Sequence, residues 1–373
     1  MMWMEKVKLS DICSPKQWKT IPTSDLLNEG YPVYGANGII GYYNEYNHEN
    51  PVVTVTCRGA TCGSINITVP KAYVTGNAMC LDDLKNDIEI EYLYYCLKHY
   101  DFKNVISGSA QPQITRQGMD KIYIMLCSRE EQRDIVNKLK KTEKVIKLRK
   151  QELQLLDDLV KARFVEMFGD PIQNPKGWNL PLIEDVVADE KNALKAGPFG
   201  SALKKEYYVK SGYKIYGQEQ VISGDHTFGD YYIDEARYKS LENCAIKAGD
   251  VLISLVGTYG KLLIIPEDFE PGIINPRLMK ITFDKEKVNP YYFKFFFQSE
   301  SLKRALSENT HGGTMDILNL GIVRKIAMPL PPLELQNEFV SFVKQVDKSK
   351  VEIQKALNKT QMLFDSLMQE YFG

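Results

Sequence analysis

The chain has 373 residues, 44% hydrophobic, 25% charged and 11% aromatic, with 47 Lys and Arg against 48 Asp and Glu. That length implies two or three globular units rather than one small domain, and the composition is neither collagenous nor that of a disordered chain. A net charge of −1 announces no global binder of polyanions, so any nucleic-acid surface has to be local.

The chain starts with Met1 and runs straight into Glu5 and Lys6 with no apolar signal core. The longest uncharged apolar stretch, Val251–Tyr259, is far short of the roughly 18 residues that span a bilayer. Both features lead us to expect a cytoplasmic protein with no membrane partner. Seven cysteines lie between Cys13 and Cys244 without the spacing of a disulfide framework, which suits a reducing compartment. Cys57-x4-Cys62 is the nearest approach to a metal pair, but no second pair or spaced histidine follows it, so no metal site is expected.

In chain order, residues 1–127 form a first globular segment. Pro51–Thr56 and Ser64–Val69 are β-branched runs that read as strands around a Gly59–Gly63 turn, and Glu91–Tyr100 reads as an aromatic-rich helix packed on them. Residues 128–169 then form a long helix. Ser128 followed by Glu131 gives a capping-box start, and Gly169-Asp170-Pro171 stops it. This is the one segment with a basic balance, +3. Residues 170–327 are a second globular segment, with strands at Asp250–Ser254 and Leu262–Ile265 around a Gly257–Gly260 turn and a helix over Pro290–Leu306 that Asn289-Pro290 opens. Residues 328–373 are a second long helix, introduced by Pro331-Pro332.

An internal repeat organises this order. Residues 124–169 overlay 328–373 at a constant offset of 204, pairing Leu126 with Leu330, Glu130 with Glu334, Gln132 with Gln336 and Phe168-Gly169 with Phe372-Gly373. The overlay reaches upstream to Gly108 and Gly312. Heptad stepping gives a seam of Ile135, Leu139, Ile146, Leu153, Leu156 and Val160 in the first helix. In the second it gives Phe339, Val343, Val346, Ile353, Leu357, Phe364 and Leu367. Each helix would be about 60 Å long with an apolar stripe it cannot bury alone, so the two are expected to pair antiparallel about an approximate two-fold, with homodimeric pairing as the alternative. The expected fold class is α+β, two β-rich mixed domains separated by a pair of long coiled-coil helices.

Marks of catalysis are missing from the sequence. No Gly-x4-Gly-Lys-Ser/Thr loop is present, and Asn289-Pro290-Tyr291-Tyr292 lacks the second proline and the preceding Gly-rich loop of an amino-methyltransferase. His48, His99, His226 and His311 are scattered, and no Gly-x-Ser-x-Gly elbow appears. The reading is of a recognition or scaffold protein, not an enzyme.

Several stretches carry a family resemblance: Leu330-Pro331-Pro332-Leu333-Glu334-x-Gln336 leading into a heptad helix, Gly197-Pro198-Phe199-Gly200-Ser201, Tyr213-x-Ile215-x-Gly217-Gln218, Lys247-Ala248-Gly249-Asp250-Val251-Leu252 and Ala162-Arg163-Phe164 to Pro171. Together with the duplicated helix they resemble type I restriction-modification specificity (S) subunits nearly end to end. The first copy departs at Met125-Leu126-Cys127-Ser128, where the double proline is missing. The resemblance implies two target-recognition domains on double-stranded DNA, each reading one part of a bipartite, asymmetric site. It also implies methyltransferase subunits that bind S-adenosylmethionine and a motor-nuclease subunit that uses ATP and magnesium, with no cofactor on this chain.

By residue chemistry, DNA contacts are expected at Arg58, Gln111, Gln113 and Arg116 in the first half and at Lys204, Lys205, Gln218, Gln220, Lys261 and Arg277 in the second. A solvated surface role stays open for each of them. Lys138, Lys140, Lys141, Lys144, Lys147, Arg149 and Lys150 form a basic run that reads first as a solvated helix face, with phosphate or an acidic partner as the alternative. Val145, Leu148, Leu155 and Leu159 are left over after the seam and are expected to dock methyltransferase subunits. Two other readings stay open: a DNA-independent coiled-coil adaptor, and a specificity subunit whose partner fuses methyltransferase and nuclease.

Overall fold

The computed structural model describes residues 4–108, 111–199, 201–255, 260–308 and 318–373. The chain divides into two compact units, Met1–Glu152 with Ile353–Gly373, and Leu153–Glu352. The Gly257 end of the second predicted turn, Gly200, His311 and Gly312 lie outside the described residues.

Unit one holds a four-stranded antiparallel sheet in the order Ser14–Gln17, Ala78–Asp82, Val53–Thr56, Ile65–Ile67. A three-stranded sheet beside it has Tyr31–Gly35 at its centre, antiparallel to Gly38–Tyr43 and parallel to Tyr73–Val74. Successive side chains of a strand point to opposite faces, and the strand Ala78–Asp82 uses both. Met79 and Leu81 enter a core with Leu9, Val53, Val55, Leu93 and Ile124, whereas Ala78 and Cys80 enter a second core with Tyr34, Val52 and Val74. The β-branched run at 53–56 is therefore buried on both faces.

Unit two repeats the plan. Its four-stranded sheet runs Leu194–Ala196, Leu278–Ile281, Val251–Ser254, Leu262–Ile264, and its three-stranded sheet has Tyr213–Tyr216 between Tyr232–Ile233 and the parallel strand Gly272–Ile274. Side chains split in the same way: Val251, Ile253, Met279 and Ile281 face one core, and Leu252 and Leu278 the other. The helix expected over Pro290–Leu306 is two helices, Pro290–Phe297 and Glu300–Glu308. The break falls at Gln298-Ser299, where the Ser299 hydroxyl accepts from the Leu302 N–H at 3.4 Å and starts a new turn. Asn289 caps the first of the two, accepting from the Tyr291 N–H at 2.9 Å.

The long helices are Arg129–Phe168 and Leu333–Phe372, 40 residues each. The capping box is present: Ser128 N donates to Glu131 at 3.0 Å and Glu131 N to the Ser128 hydroxyl at 3.3 Å. Within unit one Lys138 meets the Tyr371 hydroxyl at 3.5 Å, and Arg149 donates to the Ala356 carbonyl and the Thr360 hydroxyl. Within unit two Lys350 pairs with Asp157, and Arg163 meets Glu338 at 3.2 Å. Rising numbers in one helix meet falling numbers in the other, so the helices pack antiparallel. Ile135, Leu139 and Ile146 are buried with Leu357 and Phe364 in unit one, as are Val160, Phe339, Val343 and Val346 in unit two. Leu153, Leu156, Ile353 and Leu367 are half-buried.

The repeated glutamines fasten each helix start to its unit. Gln132, 1% exposed, accepts from the Glu89 N–H at 2.9 Å and donates to the Asp87 and Cys127 carbonyls. Gln336, fully buried, accepts from the Asn289 N–H and donates to the Lys287 and Pro331 carbonyls, all at 2.9 Å. Helix ends are fixed by rings. Phe372 lies edge-on to Tyr92 at 5.3 Å, and Phe168 packs on Tyr292 at 4.8 Å and on Phe339 at 5.5 Å. Gly169 turns the chain out of the first helix at φ +80°, a conformation that favours glycine.

Candidate nucleic-acid interface

In unit one the strand Val53–Thr56 leads into a turn at Gly59, φ +88°. The turn is sewn to the hairpin of Ile106–Ser107 and Gln113–Ile114: Gly59 N donates to Pro112 O at 3.1 Å, Ile114 N to Cys57 O at 3.0 Å, and Arg58 faces Gln113 in an isolated bridge. Thr115 then caps the short helix Arg116–Met119 through the Gly118 N–H at 3.1 Å. Arg58, Gln111, Gln113 and Arg116 are thus exposed on adjoining backbone, with Arg58 and Gln113 directly opposed.

In unit two the same frame carries different side chains. Leu255 O accepts from Leu318 N at 3.1 Å, as Cys57 O does from Ile114 N. Leu255 N donates to Arg277 O at 2.9 Å, as Cys57 N does to Asn77 O at 3.1 Å. Arg277 therefore stands where unit one has Asn77. Its guanidinium lies 3.4 Å from the Gln218 side-chain oxygen, and the Gln218 amide donates to the Ser254 hydroxyl at 2.8 Å. Lys261 is exposed at the start of the next strand, its carbonyl accepting from Ser254 N at 3.1 Å. Gln218 and Arg277 are brought together, and Lys261 joins them only through the backbone of Ser254. Lys204 and Lys205 are exposed at the 3₁₀ turn Lys205–Tyr207, and no hydrogen bond among the described residues ties them to that group.

Gln220 has to be withdrawn from the expected contacts. It is 1% exposed, its oxygen accepts from the Gly217 N–H at 2.9 Å and its nitrogen donates to the Phe228 carbonyl at 2.7 Å. Both ends of the amide are used to start the helix Gln218–Ser223 and hold the loop after it. Asn77 was missed; setting Thr75-Gly76-Asn77-Ala78 against Asn275-Pro276-Arg277-Leu278 at an offset of 200 picks it out.

Three buried charged side chains, Asp250, Lys280 and Lys214, shape unit two. Asp250 is fully buried, accepting from the Lys247 N–H at 2.9 Å and the Thr282 hydroxyl at 2.5 Å, with Lys280 at 3.5 Å. Burial pushes its carboxyl up, against the pull of Lys280 and these donors. Lys214, 1% exposed, donates to the Thr227 carbonyl at 2.8 Å and to Glu270 at 2.7 Å. The Lys214 ammonium holds the Glu270 carboxyl below its usual range.

On the first long helix Val145, Leu148, Leu155 and Leu159 are 38%, 52%, 67% and 47% exposed, apolar surface left open among the described residues. The basic run divides. Lys138, Lys140 and Arg149 are tied to Tyr371, Glu91 and the Ala356 turn in unit one, whereas Lys141, Lys144, Lys147 and Lys150 face solvent. No helix among the described residues is long and apolar enough to cross a membrane.

Comparison with known proteins bears on this arrangement. The sequence model of the type I restriction modification DNA specificity domain matches residues 2–157 and 193–360. The MjaVIII type I restriction enzyme specificity subunit of Methanocaldococcus jannaschii is 23% identical over 328 residues, 81% of this chain and 75% of that one. The S.HindORF215P subunit of Haemophilus influenzae, a putative type I specificity subunit, is 24% identical over 342 residues, covering 87% and 82%. Among solved structures, the S subunit of a type I restriction-modification system from M. genitalium matches 100% of this chain and 96% of its own with a TM-score of 0.60 at 14% identity. A chain from a structural study of complex assembly in the type I system matches 99% and 97% with a TM-score of 0.63 at 16% identity. These likenesses place the fold, and the match to the family model over most of the chain places the sequence: the protein belongs to the DNA specificity subunits of type I restriction-modification systems.

Proposed function

We propose that each unit reads one part of a bipartite, asymmetric site on double-stranded DNA, and that the two long helices set the spacing between the parts. The observation that carries this reading is a shared backbone frame with unlike side chains at the same place, Asn77 in unit one and Arg277 in unit two, with Arg58 and Gln113 on adjoining backbone in the first and Gln218 against the guanidinium in the second. Arg, Asn and Gln present paired groups to base edges, and two similar readers with different side chains specify a site without internal symmetry.

The specificity subunit is itself non-catalytic, and in such systems cofactors belong to the partner subunits. We assign S-adenosylmethionine to methyltransferase subunits docked over Val145, Leu148, Leu155 and Leu159, and ATP with magnesium to a motor-nuclease subunit. The whole assembly acts in the cytoplasm on DNA. The exposed apolar side chains on the helix supply the burial such docking requires.

The test is to co-express this chain with its methyltransferase subunit in a methylation-free host and map modified adenines across the genome by single-molecule sequencing. A split, asymmetric motif that depends on this chain is expected. Lengthening both long helices by matched whole turns should change the spacer and leave the half-sites alone. Absence of any motif from a verified soluble complex would refute the reading.

A further inference from the structure

Unit one holds a cluster that DNA reading leaves unused: His48, Cys80 and Asp82, whose Nε2, Sγ and carboxylate oxygen lie within 4.8 Å of one another. Spacing hides it: the three are 32 and 2 residues apart and meet only when the loop before Val53 packs on the strand Ala78–Asp82. At Cys57 and Cys62, where the spacing pointed, the Cys57 sulfur accepts from Gln17 at 2.9 Å, and no third ligand joins the pair among the described residues.

The geometry around His48 fixes its tautomer. The Asn47 side chain is oriented by the backbone of Val74, its nitrogen donating to the carbonyl at 3.0 Å and its oxygen accepting from the N–H at 2.8 Å. His48 Nδ1 is 2.6 Å from that same oxygen, so Nδ1 carries a proton and donates. In the neutral ring the Nε2 lone pair then points at Asp82 Oδ1, 3.0 Å away. Two acceptors at that separation require a proton or a cation between them. The other Asp82 oxygen is held by Trp18 Nε1 at 3.0 Å, and among the described residues no Lys or Arg lies within ion-pair reach of this carboxylate. Lys16 is held instead over the Trp18 ring, 3.8 Å from its centroid.

We propose that His48, Cys80 and Asp82 bind a divalent transition-metal ion of the zinc type. A neutral imidazole, a thiolate and a carboxylate are three ligands this ion accepts, and with two negative ligands the centre is neutral overall, which suits its burial. Cys80 is fully buried, and the His48 and Asp82 side chains are 10% and 13% exposed. Asn47 and Trp18 supply the outer contacts that orient a metal-bound imidazole and carboxylate. A cavity of about 460 Å³, lined in part by Lys16, His48, Asn50 and Asp82, gives the ion a route in and room for a water as fourth ligand. Bound there, the ion ties the loop carrying Asn47–Asn50 to the central sheet of the first reading unit.

The test uses the full chain, stripped with chelator and titrated with Co²⁺ as the spectroscopic probe, then with Zn²⁺ as competitor. One equivalent of Co²⁺ should give intense tetrahedral visible bands and a thiolate charge-transfer band that Zn²⁺ removes. C80S should lose the charge-transfer band and H48Q should lose tight binding. N47A, which leaves all three ligands and removes the outer contact to His48 together with the bonds to Val74, should weaken affinity by about 10–100-fold. Wild-type protein with no charge-transfer band overturns the proposal, leaving His48 and Asp82 as a hydrogen-bonded pair without a metal. A band that survives C80S but vanishes in C57S overturns it as well, by moving the metal to Cys57 and Cys62. Because the readout is metal binding, its failure is distinct from failure of the DNA-reading assignment.

Discussion

Gln336→Ala isolates the fastening of the second long helix to unit two. Its buried amide satisfies three backbone groups, the Asn289 N–H and the Lys287 and Pro331 carbonyls. A buried backbone group that loses its partner costs about 1–3 kcal/mol. Some of the three recover a partner by local relaxation, so the expected loss is about 3 kcal/mol. For a unit of this size that corresponds to about 6–12 °C in Tm. Gln336→Glu should be at least as damaging, since it removes both donors and sets a carboxylate against two carbonyl oxygens. Trp178, whose indole donates to the Phe168 carbonyl at 3.0 Å, reports on unit two, and Trp18 reports on unit one. Each is followed in the full chain during urea unfolding, because two units need not unfold in one transition. Gln132→Ala should destabilise unit one alone, and the two effects should add, as their sites share no partner. A loss below about 1 kcal/mol for Gln336→Ala at the Trp178 transition would show that the amide is not what fixes the helix start.

Asp250→Ala should cost unit two about 3–5 kcal/mol, because it leaves the buried Lys280 ammonium without its partner; urea unfolding measures it. The Glu270 carboxyl is held below its usual range in the folded chain, so its contribution is complete above that range and is lost as pH falls through it toward the lowered value. Glu270→Gln should flatten that acid limb and, since Glu270 is half exposed, cost only about 1 kcal/mol near neutrality. Arg277→Ala should relax one position of one half-site by about 1–3 kcal/mol of discrimination, and Arg58→Ala one position of the other, read as altered methylation motifs. Either change affecting both half-sites equally would contradict separate readers.

The helices and their pairing were legible because heptads, caps and a constant offset of 204 are local, periodic signals, and because two long apolar stripes bury each other most simply. Strand placement was legible only at β-branched runs such as Val53–Thr56. The short strands Ser14–Gln17, Tyr73–Val74 and Leu194–Ala196 are too brief to establish a strand period, and pairing with distant partners defines them. Candidate contact residues were chosen by chemistry alone, which does not reveal placement. Gln218 and Gln220 look alike in sequence, yet one reaches Arg277 and the other closes a helix start. The break at Gln298-Ser299 was hidden because neither residue is a Gly or Pro, the residues that punctuate a helix locally.

The repeat separates what must be the same from what is free to differ. The frame in both units is held by backbone hydrogen bonds: Thr75 N to Tyr34 O and Asn275 N to Tyr216 O, each at 2.9 Å, and Cys57 N and Leu255 N to the residue two further on. Such bonds do not depend on which side chain leaves the frame, so Asn77 and Arg277 occupy equivalent backbone with unlike chemistry at little cost to stability. The side-chain contacts that recur, Gln132 with Gln336 and Tyr92 with Tyr292, lie instead where each long helix starts, beside the helix Ile90–His99 in unit one and Pro290–Phe297 in unit two. The Tyr92 and Tyr292 hydroxyls donate to Met125 O and Pro329 O, both at 2.7 Å. Exchanging Asn77 and Arg277 between the units should therefore leave both folds intact while moving one position of base preference from one half-site to the other. Alanine substitutions at the glutamines would test only stability.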